Sequence, residues 1–104
     1  MSWQDIALKH AKDDSPYEAC GLVMIHKGKE KYFPCKNLAS DMNHQFIIDP
    51  DDWIKAEDKG EIIGVFHSHP KTPPTPSQAD LASCEYLDLP FYIVNPELEQ
   101  WYFF

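Results

Sequence analysis

Two histidines, His67 and His69, lie two residues apart after an apolar run, and Pro70 follows them directly. Because side chains alternate along a strand, both imidazoles would project from one face, about 7 Å apart along the backbone. Two imidazoles at that spacing can share one metal ion, and a catalytic zinc takes a third protein ligand, commonly a carboxylate. Without such a ligand, a His-x-His pair is more often one packed histidine and one exposed histidine.

The carboxylate candidate is Asp80, at the third position of a helix that is predicted to begin at Ser77. On that helix Asp80 lies beside Cys84 and Leu87 on the apolar stripe, so we expect it to point inward. An unpaired buried carboxylate is costly, and a metal held by the two histidines would offset its charge. The competing interpretation is a capping box between Ser77 and Asp80, and the same Ser-x-x-Asp spacing also occurs at 2–5.

The strand that carries the histidines is predicted at 62–66, which is apolar on both alternating faces. That pattern is typical of a central strand with helices on either side. Further strands are predicted at 19–25, 31–33, 45–48, 91–94 and 100–104. We expect Pro34 to end the second of these, because proline cannot donate to a ladder. The proline-rich loop 71–76 is stiff and returns the chain to the end of the histidine strand.

Three helices are predicted from their caps and periodicity. The first follows Ser2, and the second begins after Asp49 and stops at Gly60. The third occupies 77–87, with Leu81 on its apolar face. Strands that alternate with helices predict an α/β fold in which helices flank a mixed β-sheet.

The composition excludes several classes of protein. The 104 residues fit one domain, and 17 acidic against 9 basic side chains give a net charge of -8. All nine cations are lysines, so an acidic chain without arginine is a poor partner for nucleic acid. There is no signal-peptide pattern, and no apolar run approaches the roughly 20 residues that cross a bilayer. Three scattered cysteines indicate neither disulfides nor a thiolate zinc site. We therefore expect a soluble, cytoplasmic protein with no nucleic-acid or membrane partner.

The histidine and serine motifs together resemble a known signature. The string at 67–70, followed after six residues by that at 77–80, is similar to the His-x-His-Pro and Ser-x-x-Asp signature of JAMM (Mov34/MPN/PAD-1) zinc metallopeptidases. Their other catalytic element is a Glu on an early strand, and 17–23 resembles it. This resemblance assigns Glu18, which the pattern of residues by itself does not single out from other glutamates.

The resemblance implies the chemistry of the site. His67, His69 and Asp80 would bind one Zn²⁺ ion, with water in the fourth position. Glu18 would be the general base, and Ser77 would stabilise the oxyanion. The reaction would be hydrolysis of an amide or isopeptide bond, on the cytidine-deaminase-like sandwich of the JAMM/MPN fold. The alternatives are a catalytically inactive MPN-type scaffold and an interaction domain in tail assembly.

The resemblance extends over the whole chain to the JAMM domain of lambdoid phage tail-assembly proteins. In that family the JAMM domain comes first, and an NlpC-type peptidase domain commonly follows. We therefore expect 1–104 to be a single metallopeptidase domain from a longer chain. The implied partner is a protein or peptide substrate, either a peptidoglycan stem peptide or a tail protein. The implied location is the cytoplasm of the bacterial host or the phage tail, and the oligomeric state stays open.

Overall fold

A computed structural model describes residues 2–104. This part of the chain forms three helices and five strands. The helices are α1 (Trp3–Asp14), α2 (Pro50–Lys59) and α3 (Gln78–Leu87). The strands are β1 (Cys20–His26), β2 (Lys29–Cys35), β3 (Glu61–Ser68), β4 (Phe91–Asn95) and β5 (Gln100–Phe103). All three helices in this part of the chain lack the length and apolar character needed to cross a bilayer.

The five strands form one mixed sheet in the order β2-β1-β3-β4-β5. The β1 strand is antiparallel to β2 and β3, β3 is parallel to β4, and β4 is antiparallel to β5. The predicted α/β fold with a mixed, helix-flanked sheet is confirmed. The predicted histidine strand is the central one, and its carboxyl end carries the candidate site.

Helices cover the two faces of the sheet because the inner strands β1, β3 and β4 bury residues on both. The α1 helix buries Trp3, Ala7 and Ala11 against one face, where Phe66 of β3 lies. The α2 and α3 helices cover the other face, which holds Val65 of β3. Residues two apart from Val65 share its face, so His67 lies on the side covered by α2 and α3.

The predicted helix caps are confirmed. Ser2 and Ser77 each form a complete capping box with the aspartate three residues later. Asp49 accepts a hydrogen bond from the backbone N–H of Asp51, with proline at the first helical position. These caps fix where α1, α2 and α3 begin, and the last of them sets the position of Asp80.

Three local predictions are wrong, each for a physical reason. The β2 strand runs through Pro34 to Cys35, because an edge strand need not donate to neighbours on both sides. Residues 45–48 form only one bridge, between Ile48 and Asn37, because the Asn37 side chain takes the place of a ladder partner there. Leu81 is 49% exposed, since α3 turns Asp80 rather than Leu81 toward the sheet.

Candidate metal centre

The two histidines lie where β3 ends. His67 is fully buried and His69 is just beyond the strand, with their ring centroids 5.0 Å apart. The backbone N–H of His69 donates to Val94 of β4 at 2.8 Å, which holds the chain at the sheet edge. The parallel pairing of β3 with β4 therefore fixes both imidazoles on one face.

Asp80 reaches both imidazoles from the first turn of α3. Its side chain is buried, with Oδ1 3.0 Å from Nε2 of His67 and Oδ2 3.4 Å from Nε2 of His69. The same carboxylate accepts a hydrogen bond of 2.8 Å from the backbone N–H of Ser77, whose Oγ accepts from the Asp80 N–H at 3.0 Å. The capping and ligand interpretations are thus compatible, because the capping box aims the carboxylate at the histidines.

Glu18 approaches from the opposite side of His67. It lies two residues before β1, is buried, and places Oε1 3.4 Å from Nδ1 of His67. Its backbone N–H donates to Met42 at 2.7 Å, and Ala19 donates to the Oγ of Ser68 at 2.9 Å. Ser68, on the other face of β3, thus helps to position the segment that carries Glu18.

The donor atoms of this cluster fit a divalent metal ion. Glu18, His67 and His69 offer one ligand atom each within 4.8 Å of one another, and Asp80 contacts both imidazoles. Within residues 2–104 neither ring nitrogen of the buried His67 has a hydrogen-bond partner, since the nearby carboxylates are not aligned for one. Nδ1 of His69 lies 3.0 Å from the carbonyl of Pro73, a contact that favours a proton on Nδ1 and a free lone pair on Nε2. Two imidazoles with carboxylates are a common zinc donor set.

The electrostatics of the cluster also favour a cation. Burial alone would lower the pKa of His67, but the carboxylates of Asp80 and Glu18 raise that pKa above its ordinary value. Burial alone would raise the pKa of Asp80, but His67, His69 and the Ser77 backbone hold it well below its usual range. Two buried carboxylates therefore flank a position where positive charge is stabilised, whether by a protonated imidazole or by a metal ion.

Two residues to which the sequence analysis assigned no role support the site. The ring of Phe46 stacks on His67, with centroids 4.2 Å apart and an angle of 22° between the planes. The side chain of Asn37 bonds to the backbones of Glu18, Gln45 and Ile47. The signals available were an aromatic residue in a short apolar run and an Asn after a hairpin. Neither of them identifies a contact with the histidine strand.

A cleft of about 760 Å³ opens over the cluster. Its polar end includes Glu18, His69, Ser77 and Asp80, and the cleft continues from there between α2 and α3. The volume lies in the range of small-molecule and peptide subsites, about 300 to 1,000 Å³. The buried donor cluster is therefore accessible to a substrate at this end of the sheet.

Comparison with known proteins gives a consistent result over almost the whole chain. A family model described as prokaryotic homologues of the JAB domain matches residues 1–103. A protein named desampylase from Pyrococcus furiosus is 30% identical over 101 residues, which cover 89% of this chain and 70% of the relative. A JAB1/MPN domain crystal structure from Archaeoglobus fulgidus superposes with a TM-score of 0.64 at 19% identity, covering 99% of this chain and 83% of that one. The last likeness concerns the fold.

Another relative is longer than this chain. The tail tip assembly protein K of Escherichia phage N15 is 38% identical over 91 residues, which cover 88% of this chain. The match spans only 37% of the phage protein, so this chain corresponds to about a third of that relative.

Proposed function

The chain belongs to the family of prokaryotic homologues of the JAB domain, and from this membership we propose that it is a zinc-dependent hydrolase. The bond cleaved is an amide or isopeptide bond in a protein or peptide substrate. The resemblance to JAMM/MPN proteins that the motifs indicated is confirmed by this membership. The activity, the metal and the roles of the individual residues are the content of the proposal.

The observation that carries the proposal is the state of His67. His67 is a fully buried imidazole with neither nitrogen hydrogen-bonded within the part of the chain that the structure describes, and it contacts two buried carboxylates. Such a group is costly unless a cation completes it. A capping or packing role for these residues explains the Ser77–Asp80 contacts but leaves both His67 nitrogens without hydrogen-bond partners among residues 2–104. A metal ion at one ring nitrogen, with the N–H of the other facing a carboxylate, accounts for the helix cap and for the buried charges together.

We assign His67, His69 and Asp80 as the zinc ligands. The Nε2 atoms of both histidines face the Asp80 carboxylate, at 3.0 and 3.4 Å, whereas Glu18 faces only the Nδ1 atom of His67. A zinc ion held by these residues would supply Lewis-acid activation of water and of the scissile carbonyl. The set Glu18, His67 and His69 is the competing ligand assignment, and the zinc content of variants separates the two.

Glu18 and Ser77 supply the remaining chemistry. Glu18 accepts a proton from the attacking water and returns it to the leaving nitrogen as the C–N bond breaks, giving a carboxylic acid and an amine. The Oγ of Ser77 uses a lone pair to cap α3, so its hydroxyl proton stays available to donate to the oxyanion at the mouth of the cleft. One serine therefore serves the cap and the reaction together.

The setting that we propose is the assembly of a phage tail. The relative from phage N15 is named as a tail tip assembly protein, and the match covers 88% of this chain. The partner is accordingly a protein or peptide, either a tail protein that needs maturation or a peptidoglycan stem peptide. The desampylase relatives support a protein substrate in the same family.

The test is a hydrolysis assay on the zinc-loaded protein. Three substrates are offered: cross-linked peptidoglycan, an isopeptide-linked ubiquitin-like conjugate, and phage tail proteins. New amines are identified by mass spectrometry. We expect cleavage of at least one substrate, loss of cleavage on chelation of the zinc, and its return when zinc is restored.

Glu18→Gln is the matched variant for this assay. The amide keeps the size of the side chain but cannot take the proton, so we expect zinc binding with loss of turnover. Normal turnover in this variant removes Glu18 from the mechanism. If the wild-type protein binds zinc stoichiometrically but cleaves nothing, the inactive-scaffold alternative replaces the proposal.

A further inference from the structure

The cleft has an apolar half that the proposed chemistry does not use. Six of its lining residues belong to one hydrophobic cluster on the sheet face shared with His67; they are Phe46, Ile48, Trp53, Val65, Leu87 and Phe91. We refer to these six residues as the apolar pocket. Among residues 2–104, the ionisable side chains that line the cleft are Glu18, His44, His69, Lys71 and Asp80, none of which belongs to this cluster. Resting on the proposed function, we propose that the apolar pocket binds an apolar side chain of the substrate, on a residue adjacent to the scissile bond.

The distance from the metal centre supports this assignment. Val65 and His67 are two residues apart on one face of β3, which corresponds to about 7 Å. Phe91 pairs with Val65 on the neighbouring strand, and its ring centroid lies 6.4 Å from that of His67. The base of the pocket thus begins two residues along β3 from His67. This spacing is within the reach of a side chain adjacent to a bond cleaved at the cluster.

The α3 helix leaves the space open because its residues facing the cleft are small near the metal centre. Ala79 and Ser83 line the cleft one turn apart, and Leu87 closes it one further turn along. Larger side chains at the first two positions would fill the cleft. On the other side α2 contributes Trp53, whose ring is partly exposed.

The chemistry of the pocket selects the class of side chain. Val65 and Phe91 are almost completely buried and form the closed base of the pocket. The other members, Phe46, Ile48, Trp53 and Leu87, are partly exposed, so a ligand that covers them removes apolar surface from water. A charged side chain would lose its hydration there without an ionic partner, whereas phenylalanine, leucine or methionine gains from burial. The occupant is therefore a large apolar residue of a polypeptide, and an acidic residue is excluded.

Direct binding tests the inference without any need for turnover. N-acetyl amino-acid amides of phenylalanine, leucine, alanine and aspartate are titrated into the 104-residue protein, and the methyl NMR signals of Val65 and Leu87 are followed. We expect saturable shifts with the phenylalanine and leucine amides, and at least tenfold weaker binding of the other two. Equal binding of the aspartate amide, or no saturable shift with any amide, overturns the inference.

A pair of α3 variants locates the binding. Ser83→Phe places a ring in the cleft, while Ala82→Phe places the same ring on the exposed side of the helix. We expect Ser83→Phe to weaken binding of the phenylalanine amide at least tenfold and Ala82→Phe to leave it unchanged. Leu87→Ala enlarges the pocket and should favour phenylalanine over leucine. Identical behaviour of the two phenylalanine variants contradicts the assignment.

The outcome for the pocket is separable from that for catalysis. Selective binding without hydrolysis of any substrate would retain the pocket and reject the proposed function. Hydrolysis at equal rates of peptides with phenylalanine or aspartate beside the scissile bond would retain the proposed function and reject the pocket.

Discussion

The side-chain amide of Asn37 donates a hydrogen bond of 3.0 Å to the backbone carbonyl of Glu18. The same nitrogen donates to the carbonyl of Gln45 at 2.9 Å, and Oδ1 accepts from the N–H of Ile47 at 3.0 Å. Asn37 therefore joins the segment that carries the candidate base to the loop that carries Phe46. One amide side chain therefore positions both Glu18 and Phe46, which contact His67.

Replacing Asn37 with alanine tests the role of these hydrogen bonds. The change leaves two carbonyls and two N–H groups without their partner, so we expect the free energy of unfolding to fall by about 1 to 3 kcal/mol. Because Glu18 is then less well positioned, kcat should fall more than KM changes. Urea unfolding and steady-state kinetics measure the two effects. Asn43→Ala is the control for stability, since Asn43 is exposed on the same loop; an equal loss in both variants contradicts the role of Asn37.

Asp80→Asn and Asp5→Asn separate metal binding from helix capping. Both aspartates complete a capping box, but only Asp80 contacts the histidines. Each change weakens a charge–helix interaction of about 0.5 kcal/mol. We expect zinc affinity, measured against a competing chelator, to fall at least about 100-fold in Asp80→Asn only. Retention of zinc by Asp80→Asn together with its loss in Glu18→Gln would establish Glu18, His67 and His69 as the ligands instead.

The contact of Asp80 with the two histidines could be predicted because it depends on short-range rules. The alternation of β3 places His67 and His69 on one side, and the capping box at Ser77 fixes where α3 begins. Each rule acts over a few residues, so the sequence contains the information needed. Glu18 differs, because its approach to His67 depends on the pairing of β1 with β3, for which local pattern offers no guide. Only the resemblance to a family singled it out.

The contact of Phe46 with His67 could not be predicted for a related reason. Residues 45–48 form a short apolar run like that of a strand, yet the Asn37 side chain bonds to the backbones of Gln45 and Ile47, and the segment forms an isolated bridge instead of a ladder. A single side chain therefore overrides a pattern of four residues. Its effect becomes visible only when the ends of β2 and β1 are known to be adjacent.

Cys35 gives a pH-dependent prediction away from the candidate metal centre. Burial raises the pKa of its thiol from 9.0 to about 12, with Asp52 and Asp49 adding to the effect. As the pH rises from 9 toward 12, the thiol ionises in the unfolded chain before it does so in the folded protein. The free energy of unfolding should therefore decrease with pH in that window, and its full contribution is present below pH 9.

Urea unfolding at several pH values between 9 and 11 measures this slope. Cys35→Ala should reduce this slope by at most the effect of one proton. The rest of the slope persists, because the pKa values of the buried Tyr32 and Cys20 are also raised. Cys84→Ala is the control, since Cys84 is only partly buried. Parallel slopes for wild type and Cys35→Ala would show that this thiol does not couple to folding.

Ser77→Ala and Ser2→Ala distinguish the two roles assigned to Ser77. The Oγ of each serine accepts a hydrogen bond from the aspartate N–H three residues later, at 3.0 Å in α3 and 3.2 Å in α1. Loss of either cap should lower the free energy of unfolding by about 1 kcal/mol. Only Ser77 also lines the cleft, so only Ser77→Ala should reduce kcat, by about 10² to 10³-fold, with KM nearly unchanged. Ser77→Thr keeps a hydroxyl and should recover much of both properties. If Ser77→Ala loses stability but no more activity than Ser2→Ala, the serine acts through the helix cap alone, and the oxyanion must be stabilised by another donor.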